Sequence, residues 1–408
     1  MLTGATGMAG SMLAGSGIEA RAAPMTLRRG MNLWPWFSLT REKPAPSRDY
    51  DWPPFQETRA IPRREDLDRL RDGGIDFVRI PVDPGPFIAG GRERRELLLA
   101  DVAVAVSLCR RSGFNAIVNL HPNMATHYWT PERMVGGASA PEAGRYVELV
   151  VELARRLART DRGHVAIEPV NEPPGACKAH SWPELQAGIV RGVRAVAPDL
   201  PIVVTGGCGS LLPGLEALDF VFFCDYNVIY TFHFYEPYVF SHQGAPWMTG
   251  EPMYRYLNSV PWPSSAGSYD STMAAVDKRM AADLLTPAAE KRAIRKTIEG
   301  VLQVYFDARP DRGYIRRHLE RAAAWADRHG IARGRVLLGE FGALRSDERY
   351  VAASTADRAR YIRDVRETAE ELGLPWAMWN FFDGMGLVTD DRSRRFDRAI
   401  ASALGLGG

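Results

Sequence analysis

Short apolar segments alternate with longer amphipathic segments along most of the chain. The short runs are rich in apolar and β-branched side chains and predict eight strands, at 27–33, 77–81, 116–120, 165–170, 202–205, 228–234, 336–339 and 376–379. Apolar residues that recur three and four positions apart predict helices between them, at 64–71, 94–111, 142–158, 182–196, 314–329 and 356–372. Strands and helices therefore follow one another in regular alternation.

This alternation predicts parallel strands joined by crossover helices. Several strands are apolar along almost their whole length, as expected when helices cover the outer face of a sheet. Eight units without a GxGxxG motif after the first strand favour a closed barrel over an open doubly wound sheet. We therefore predict a single α/β domain, a (β/α)8 barrel in residues 25–408, with an enlarged loop and helical insertion after the sixth strand.

Residues 1–24 are excluded from this fold. They are rich in small and apolar residues and contain Ala20-Arg21-Ala22, which resembles a signal-peptidase site, although a basic start is missing. Two interpretations stay open, the remnant of an export signal and a disordered terminus. The first of them predicts a secreted or periplasmic protein.

The amino-acid composition bears on which kinds of molecule the protein binds. The chain has 51 Lys and Arg against 49 Asp and Glu, and its basic residues are scattered, so nothing favours nucleic acid or a membrane surface. No apolar stretch approaches the roughly 18 residues that span a bilayer. The four cysteines lack CxxC spacing, so a zinc or thioredoxin-like motif is not expected, and one or two disulfides of unknown pairing stay possible. We expect a monomer without cofactor.

Two glutamates stand where predicted strands end. Glu172 follows the fourth strand in IEPVNEPPG, and Glu340 ends the seventh in VLLGEFG. In a barrel these strand ends meet at the mouth, where active sites form. A retaining glycosidase needs two carboxyl groups about 5–5.5 Å apart. A single glutamate at a strand end is more often a solvated charge or part of an ion pair. The glycosidase hypothesis therefore depends on the presence of both glutamates. Asn171 either donates to a sugar hydroxyl or forms the turn before Pro173.

With these motifs in order, the chain resembles glycoside hydrolase family 5, the cellulase-like group with glutamates on strands four and seven. The resemblance extends from about Arg29 to Trp379. It implies that Glu172 is the acid/base and Glu340 the nucleophile. It also implies a set of substrate-binding and supporting residues at the strand ends, namely Arg79, His121, Asn171, His233, Tyr235 and Trp379.

The implied role differs among the supporting residues. Arg79 and Tyr235 support the nucleophile and keep it ionised, and that charge is then expected to raise the pKa of Glu172. His233 lies near the acid/base, and Trp379 floors the subsite of the cleaved sugar. The other histidines have no metal-ligand spacing, so we predict no catalytic metal.

Aromatic rings are expected to stack on the apolar faces of the sugar. Trp34 and Trp36 follow the first strand and are the main additional candidates, and further tryptophans lie in or beside predicted loops, at Trp129, Trp182, Trp247 and Trp262. Trp325 and Trp376 are expected to be structural.

The resemblance implies double displacement on a β-linked oligo- or polysaccharide, with an endo-β-1,4-glucanase as the leading hypothesis. A β-mannanase and an exo-β-glucanase are close alternatives. A non-catalytic carbohydrate-binding barrel is an alternative of another class, and transglycosylation would use the same residues.

Overall fold

The computed structural model describes residues 25–161, 163–218 and 227–407. Eight parallel strands close into a barrel in the order β1-β10-β9-β8-β7-β6-β5-β4, which confirms the predicted fold. The strands of the described residues are β1 (Arg29–Asn32), β2 (Thr40–Glu42), β3 (Tyr50–Phe55), β4 (Phe77–Val82), β5 (Asn115–Leu120), β6 (Val165–Glu168), β7 (Ile202–Thr205), β8 (Val228–His233), β9 (Val336–Glu340) and β10 (Trp376–Met378).

Helices surround the barrel, and the predicted ones are all present. In the described part of the chain they are α1 (Arg64–Asp72), α2 (Gly85–Ala89), α3 (Gly91–Arg111), α4 (Pro131–Val135), α5 (Ala143–Leu157), α6 (Ser181–Val196), α7 (Leu212–Glu216), α8 (Tyr238–Ser241), α9 (Tyr269–Ala282), α10 (Ala288–Ala308), α11 (Arg312–Arg328), α12 (Thr355–Glu371) and α13 (Arg398–Ala403). The insertion predicted after the sixth barrel strand contains α8, α9 and α10. Among these helices, none combines the length and the apolar character needed to cross a membrane.

Helix α5 illustrates why these segments are helical. Its buried residues Tyr146, Leu149, Val150 and Leu153 recur at spacings of three and one, and form one apolar face. Two arginines in its last turn, Arg155 and Arg156, interact favourably with the negative carboxyl end of the helix dipole. The apolar face then packs the helix against the barrel and against α6.

The interior of the barrel changes from apolar to polar towards the carboxyl ends of the strands. A separate apolar cluster contains one residue from seven of the barrel strands together with two preceding residues, namely Met25, Leu27, Phe77, Ile117, Ala166, Val203, Ile229, Leu337 and Ala377. Because side chains alternate along a strand, residues two positions further on also point inward. Those positions hold buried polar residues at Arg79, Asn119, Glu168, Thr205 and Thr231. The barrel therefore carries a polar layer directly beneath its mouth.

Two features differ from or extend the sequence prediction. Residues 40–55 lie in none of the predicted strands, but Thr40–Glu42 forms β2 and Tyr50–Phe55 forms β3, and the two pair antiparallel. Cys177 and Cys208 form a disulfide, and Cys109 is free and buried. Cys224 and the predicted tail at 1–24 lie outside the described residues.

Candidate active site

Arg79 on β4 is the centre of the polar layer. Its Nε and Nη2 donate to both oxygens of Glu168 at 2.6 and 2.9 Å. Nη1 donates to Asn32 at 2.8 Å and to Glu340 at 2.6 Å, and Nη2 donates to Asn171 at 2.6 Å. Burial alone lowers the pKa of Arg79, but the charges of Glu168 and Glu340 outweigh it and raise the pKa. A guanidinium so paired stays charged and fixes the directions of four side chains.

Glu340 ends β9 with only 3% of its surface exposed. Its Oε1 accepts the hydrogen bond from Arg79, and its Oε2 accepts one from the Tyr235 hydroxyl at 2.9 Å. The pKa of Glu340 is raised above its ordinary value, because burial and the charge of Glu172 outweigh the charges of His233 and Arg79 and the Tyr235 hydrogen bond, which lower the pKa. The support that the sequence led us to expect from Arg79 and Tyr235 thus reduces the rise without cancelling it. Both oxygens thus have a donor that stabilises the carboxylate form.

Glycines flank Glu340 because neighbouring groups occupy the space of a side chain. A Cβ at Gly339 would lie 2.5 Å from Thr231 Oγ1 and 3.2 Å from His233 Nε2. A Cβ at Gly342 would lie 2.3 Å from the carbonyl oxygen of Trp379. The 2.5 and 2.3 Å distances are too short for real contacts, so β8 and the chain after β10 approach the strand of Glu340 as closely as glycine allows.

Glu172 follows β6 and faces the same opening. Its φ of 41° lies in the left-handed region, which costs a residue with a side chain roughly 1–3 kcal/mol and is frequent at functional sites. The main chain is held just before it, where Asn171 N donates to the Leu120 carbonyl at 2.8 Å. The Glu172 side chain is 37% exposed, so it reaches the cleft while the Glu340 side chain stays beneath it.

His233 connects the two glutamates. Its Nδ1 lies 2.7 Å from Glu172 Oε1 and 3.7 Å from Glu340 Oε2. One oxygen of each carboxylate and a ring nitrogen of His233 all lie within 4.8 Å of one another. Carboxyl groups about 5–5.5 Å apart suit direct attack on the sugar, whereas inverting enzymes need about 6.5–9.5 Å for an intervening water. The close approach of one oxygen from each carboxylate is nearer to the first spacing than to the second.

The same three side chains form the group of potential metal ligands found in the described residues. Arg79 already contacts Glu340 at 2.6 Å, and the Tyr235 hydroxyl occupies its other oxygen. A cation bound there would face the guanidinium charge and compete with both donors. The arrangement suits proton transfer better than metal binding.

The distribution of protons differs from the one expected from the sequence. Burial raises the pKa of Glu172, but the hydrogen bond and charge of His233 outweigh burial and lower the pKa, the opposite of the predicted direction. Burial lowers the pKa of His233, yet the charges of Glu340 and Glu172 outweigh burial and raise the pKa. The reason is the direct 2.7 Å hydrogen bond between His233 and Glu172, whereas the resemblance implied only that His233 lies near the acid/base. Both shifts favour a proton shared in the hydrogen bond between His233 and Glu172.

An aromatic wall stands beside the carboxylates. The Trp379 ring stacks on His121 with centroids 5.4 Å apart and lies 6.2 Å from the Trp34 ring. Burial and the charge of Arg79 lower the pKa of His121 to about 3, so the ring is neutral. Its Nδ1 can then donate to Asn119 Oδ1 at 3.1 Å, and its Nε2 can accept from Asn171 Nδ2 at 3.4 Å. These bonds fix the plane on which Trp379 rests.

The structure does not bring every tryptophan candidate to the cleft. Trp36 is 7% exposed and stacks on Phe37 at 5.5 Å, so its ring packs in the core. Trp247 in the insertion is 46% exposed. The remaining candidates are buried, as are the two tryptophans expected to be structural, namely Trp129, Trp182, Trp262, Trp325 and Trp376.

Sequence reasoning missed the buried residues beneath Glu172 and Glu340. Glu168 is fully buried and binds Arg79 through both oxygens. Asn32 accepts from Arg79 and donates to the carbonyls of Gly339 and Met378 at 3.0 and 3.1 Å. A signal was present for Glu168, since it is a charged residue in the otherwise apolar strand β6, where burial requires a partner.

Fold and site together define the class: a (β/α)8 barrel with the paired carboxylates of a glycoside hydrolase. The family model described as "Cellulase (glycosyl hydrolase family 5)" matches residues 45–384. The chain belongs to glycosyl hydrolase family 5, which confirms the resemblance drawn from its motifs.

The individual relatives share less than 30% sequence identity with this chain. The chain is 22% identical to Endoglucanase 3 of Fibrobacter succinogenes over 356 residues, which is 84% of this chain and 49% of that protein. It is 29% identical to Cellodextrinase A of Ruminococcus flavefaciens over 193 residues, 45% of this chain and 54% of that protein. The chain thus spans about half the length of these relatives. Among solved structures, that of Thermotoga maritima Cel5A in complex with cellobiose superposes with a TM-score of 0.65 at 19% identity. The superposition covers 93% of this chain and 97% of that one, and it shows a similar fold.

Proposed function

We propose that the protein is a retaining β-1,4-glucanase that cleaves its substrate within the chain. The observation that carries this proposal is the carboxylate pair: Glu340 with a donor on each oxygen, and Glu172 on His233, their closest oxygens within 4.8 Å. Membership of glycosyl hydrolase family 5 supports the class of reaction. The curated relatives named endoglucanase support the polymer.

In the first step Glu340 attacks the anomeric carbon, and the bond from that carbon to the leaving oxygen breaks. Glu172 gives its proton to the leaving oxygen, so a neutral alcohol departs and a glycosyl ester remains on Glu340. In the second step water attacks the same carbon while Glu172 takes the proton from the water. The ester bond breaks, Glu340 is again a carboxylate, and the product has the configuration of the substrate.

The proton for the first step comes from the pair of His233 and Glu172. Moving it along their 2.7 Å hydrogen bond turns an imidazolium and a carboxylate into a neutral imidazole and a carboxylic acid. The net charge of the pair is unchanged by this transfer. When a sugar displaces water from the cleft, the lower local dielectric favours the neutral pair.

Sugar binding is assigned to the aromatic wall. Trp379 offers a face braced by His121, and Trp34 stands next to it at 6.2 Å. Apolar C–H faces of β-linked glucose stack on such rings. We expect Asn171, beside Glu172, to donate to a hydroxyl of the reacting sugar. Trp36 has no part in this proposal because its ring is buried.

The test of the catalytic pair is the anomer of the first product together with two variants. NMR of cellopentaose hydrolysis is expected to show the β anomer first. Glu340→Gln and Glu172→Ala are expected to lower kcat/KM on β-glucan by at least about a thousandfold, in line with loss of a nucleophile or acid/base. Glu236→Gln, a largely buried glutamate next to Tyr235, is the matched control and should keep most activity. Initial release of the α anomer, or full activity of Glu340→Gln, would refute the roles assigned to this pair. Binding of β-glucan by a parent protein that hydrolyses none would leave a binding barrel as the better description.

The polymer and the mode of cleavage need a separate assay. An endo-acting β-1,4-glucanase lowers the viscosity of carboxymethylcellulose well before reducing ends accumulate. A faster rate on β-mannan would identify the mannanase alternative, and release of one short product without loss of viscosity would identify exo action. Products longer than the substrate in the presence of added cellobiose would reveal transglycosylation.

We further propose that the enzyme works outside the reducing cytoplasm as a monomer. The disulfide between Cys177 and Cys208 supports the location, because such bonds persist in oxidising compartments. Alkylation of free thiols in protein from the native host, followed by mass spectrometry, should find this pair oxidised. Active protein with both thiols free would contradict the location, and sedimentation measures the oligomeric state.

A further inference from the structure

The disulfide lies beside the acid/base rather than in the body of the barrel. Cys177 belongs to the loop after Glu172, and Cys208 belongs to the loop after β7, so the bond joins two neighbouring loops at the mouth. We propose that this bond positions the Glu172 carboxylate for proton transfer. The inference rests on the acid/base role proposed above and deepens it.

One route from the disulfide to Glu172 runs through Pro173. Gly209, next to Cys208, donates its N–H to the carbonyl of Pro173 at 2.9 Å. Pro173 follows Glu172 directly in the chain. A Cβ at Gly207 would lie 3.3 Å from the carbonyl of Ala176, so the two loops pack backbone against backbone. The loop after β7 therefore determines where the chain leaves Glu172.

A second route runs through His233. The carbonyl of Ser210, two residues after Cys208, accepts the main-chain N–H of His233 at 2.8 Å. The His233 ring in turn contacts Glu172 at 2.7 Å. Both partners that define the position of the acid/base, the following proline and the histidine, are thus tied to the segment that the disulfide anchors.

The backbone of this segment needs such an anchor. Glu172, Cys208 and Ser210 have φ values of 41°, 49° and 57°, in the left-handed region that residues with side chains rarely adopt. Such conformations persist where the surroundings hold them. Without the covalent link we expect the segment at 208–210 to relax, which shifts the Pro173 and Ser210 contacts and with them Glu172.

The nucleophile is held by other elements. Glu340 receives its hydrogen bonds from Arg79 on β4 and from Tyr235 after β8. Opening the disulfide should therefore impair the steps that need Glu172 and leave the attack by Glu340 nearly intact. A merely structural role would reduce all steps together.

The experiment compares leaving groups in the variant Cys177→Ser/Cys208→Ser. A displaced acid costs most when the leaving group needs a proton, so kcat/KM on cellopentaose is expected to fall about tenfold to a hundredfold. On 2,4-dinitrophenyl β-cellobioside, whose leaving group departs unprotonated, kcat/KM should change less than about threefold, because attack by Glu340 does not require the acid. Azide needs no general base, so it should accelerate turnover of this substrate and give β-cellobiosyl azide. Cys109→Ala and Cys224→Ala are the controls and should behave as the parent.

Reduction of the parent enzyme gives the same test without a mutation. Dithiothreitol supplies two electrons and two protons, which turn the disulfide into two thiols, and becomes a cyclic disulfide itself. The reduced parent should show the same selective loss, reversed on reoxidation. An equal loss on both substrates, or no loss, would overturn the inference. Glu172→Ala distinguishes failure of the acid/base proposal from failure of the disulfide proposal. If kcat/KM of Glu172→Ala does not depend on the leaving group and azide does not accelerate turnover, the acid/base proposal fails. If Glu172→Ala shows both effects while the cysteine variant shows neither, the disulfide proposal alone fails.

Discussion

Replacing Arg79 with methionine separates the stabilising role of this residue from its catalytic one. The substitution removes a fully buried guanidinium that contacts Glu168 at 2.6 Å and Glu340 at 2.6 Å. Removal of one partner of a buried ion pair leaves an unpaired charge, which costs about 3–5 kcal/mol. The free energy of unfolding of Arg79→Met should fall by that amount. Adding Glu168→Met removes the orphaned carboxylate and should restore a large part of the loss.

The effect of Arg79→Met on catalysis should persist in the double variant with Glu168→Met. Charges about 4 Å apart at an effective dielectric of about 20 interact by about 4 kcal/mol, which corresponds to an upper bound of roughly 3 pKa units on Glu340. Some of this attraction is lost to screening by water in the cleft. We therefore expect the acidic limb of kcat/KM, which reports ionisation of Glu340, to move up by at least about one pH unit in both the single and the double variant.

Urea unfolding followed by tryptophan fluorescence measures stability, and the pH profile on 2,4-dinitrophenyl β-cellobioside measures the acidic limb with little demand on Glu172. Arg79→Lys is the matched variant that keeps the charge but loses the fork of donors, and it should shift the limb less than methionine does. The reasoning is refuted if the double variant recovers the acidic limb along with stability. It is also refuted if the single variant shifts the limb by less than about half a unit.

Three further predictions concern single side chains. Tyr235→Phe removes the 2.9 Å hydrogen bond to Glu340, worth about 1.5–3 kcal/mol for a charged acceptor, so kcat/KM should fall at least about tenfold in steady-state assays. Trp379→Ala should raise KM for cello-oligosaccharides about tenfold or more, whereas Trp36→Phe, a change in the core, should lower the melting temperature and leave KM unchanged. Burial raises the pKa of Asp83 to about 6 in the folded protein. Protonation of Asp83 therefore contributes to the free energy of unfolding fully below about pH 4, and this contribution is lost as the pH rises through 6. Between about pH 4 and 7, Asp83→Asn should therefore lose about 3 kcal/mol less stability than the parent in urea melts, and an equal loss would contradict the shift.

The barrel, and the position of Glu172 and Glu340 at strand ends, followed from local patterns. Strand length and apolar content fix which segments are buried, and the alternation with helices fixes parallel pairing. Once Glu172 and Glu340 stand at strand ends, the closed barrel brings them to one opening without further information. The period of two along β4 likewise places Arg79 inside the barrel.

Contacts between distant segments could not be predicted in the same way. The pairing of Cys177 with Cys208 depends on how two loops lie side by side, which no spacing encodes. The lowered pKa of Glu172 depends on a histidine 61 residues away. The β2–β3 hairpin contains prolines, which the pattern attributes to a loop but which edge strands accept. Trp36 was misplaced because a loop tryptophan points either to the cleft or to the core, and its packing on Phe37 decides the outcome.

The two donors on Glu340 have a practical consequence for making glycosidic bonds. Shortening Glu340 to alanine would leave a small cavity into which the Arg79 guanidinium and the Tyr235 hydroxyl still point. An α-cellobiosyl fluoride would place its fluorine where the carboxylate had been, and both donors would assist its departure as fluoride. Glu172 would then act as base for an incoming sugar hydroxyl, and the β-linked product would persist because no nucleophile remains to cleave it. The same hydrogen bonds that hold a hydrolytic nucleophile would serve a catalyst for oligosaccharide synthesis.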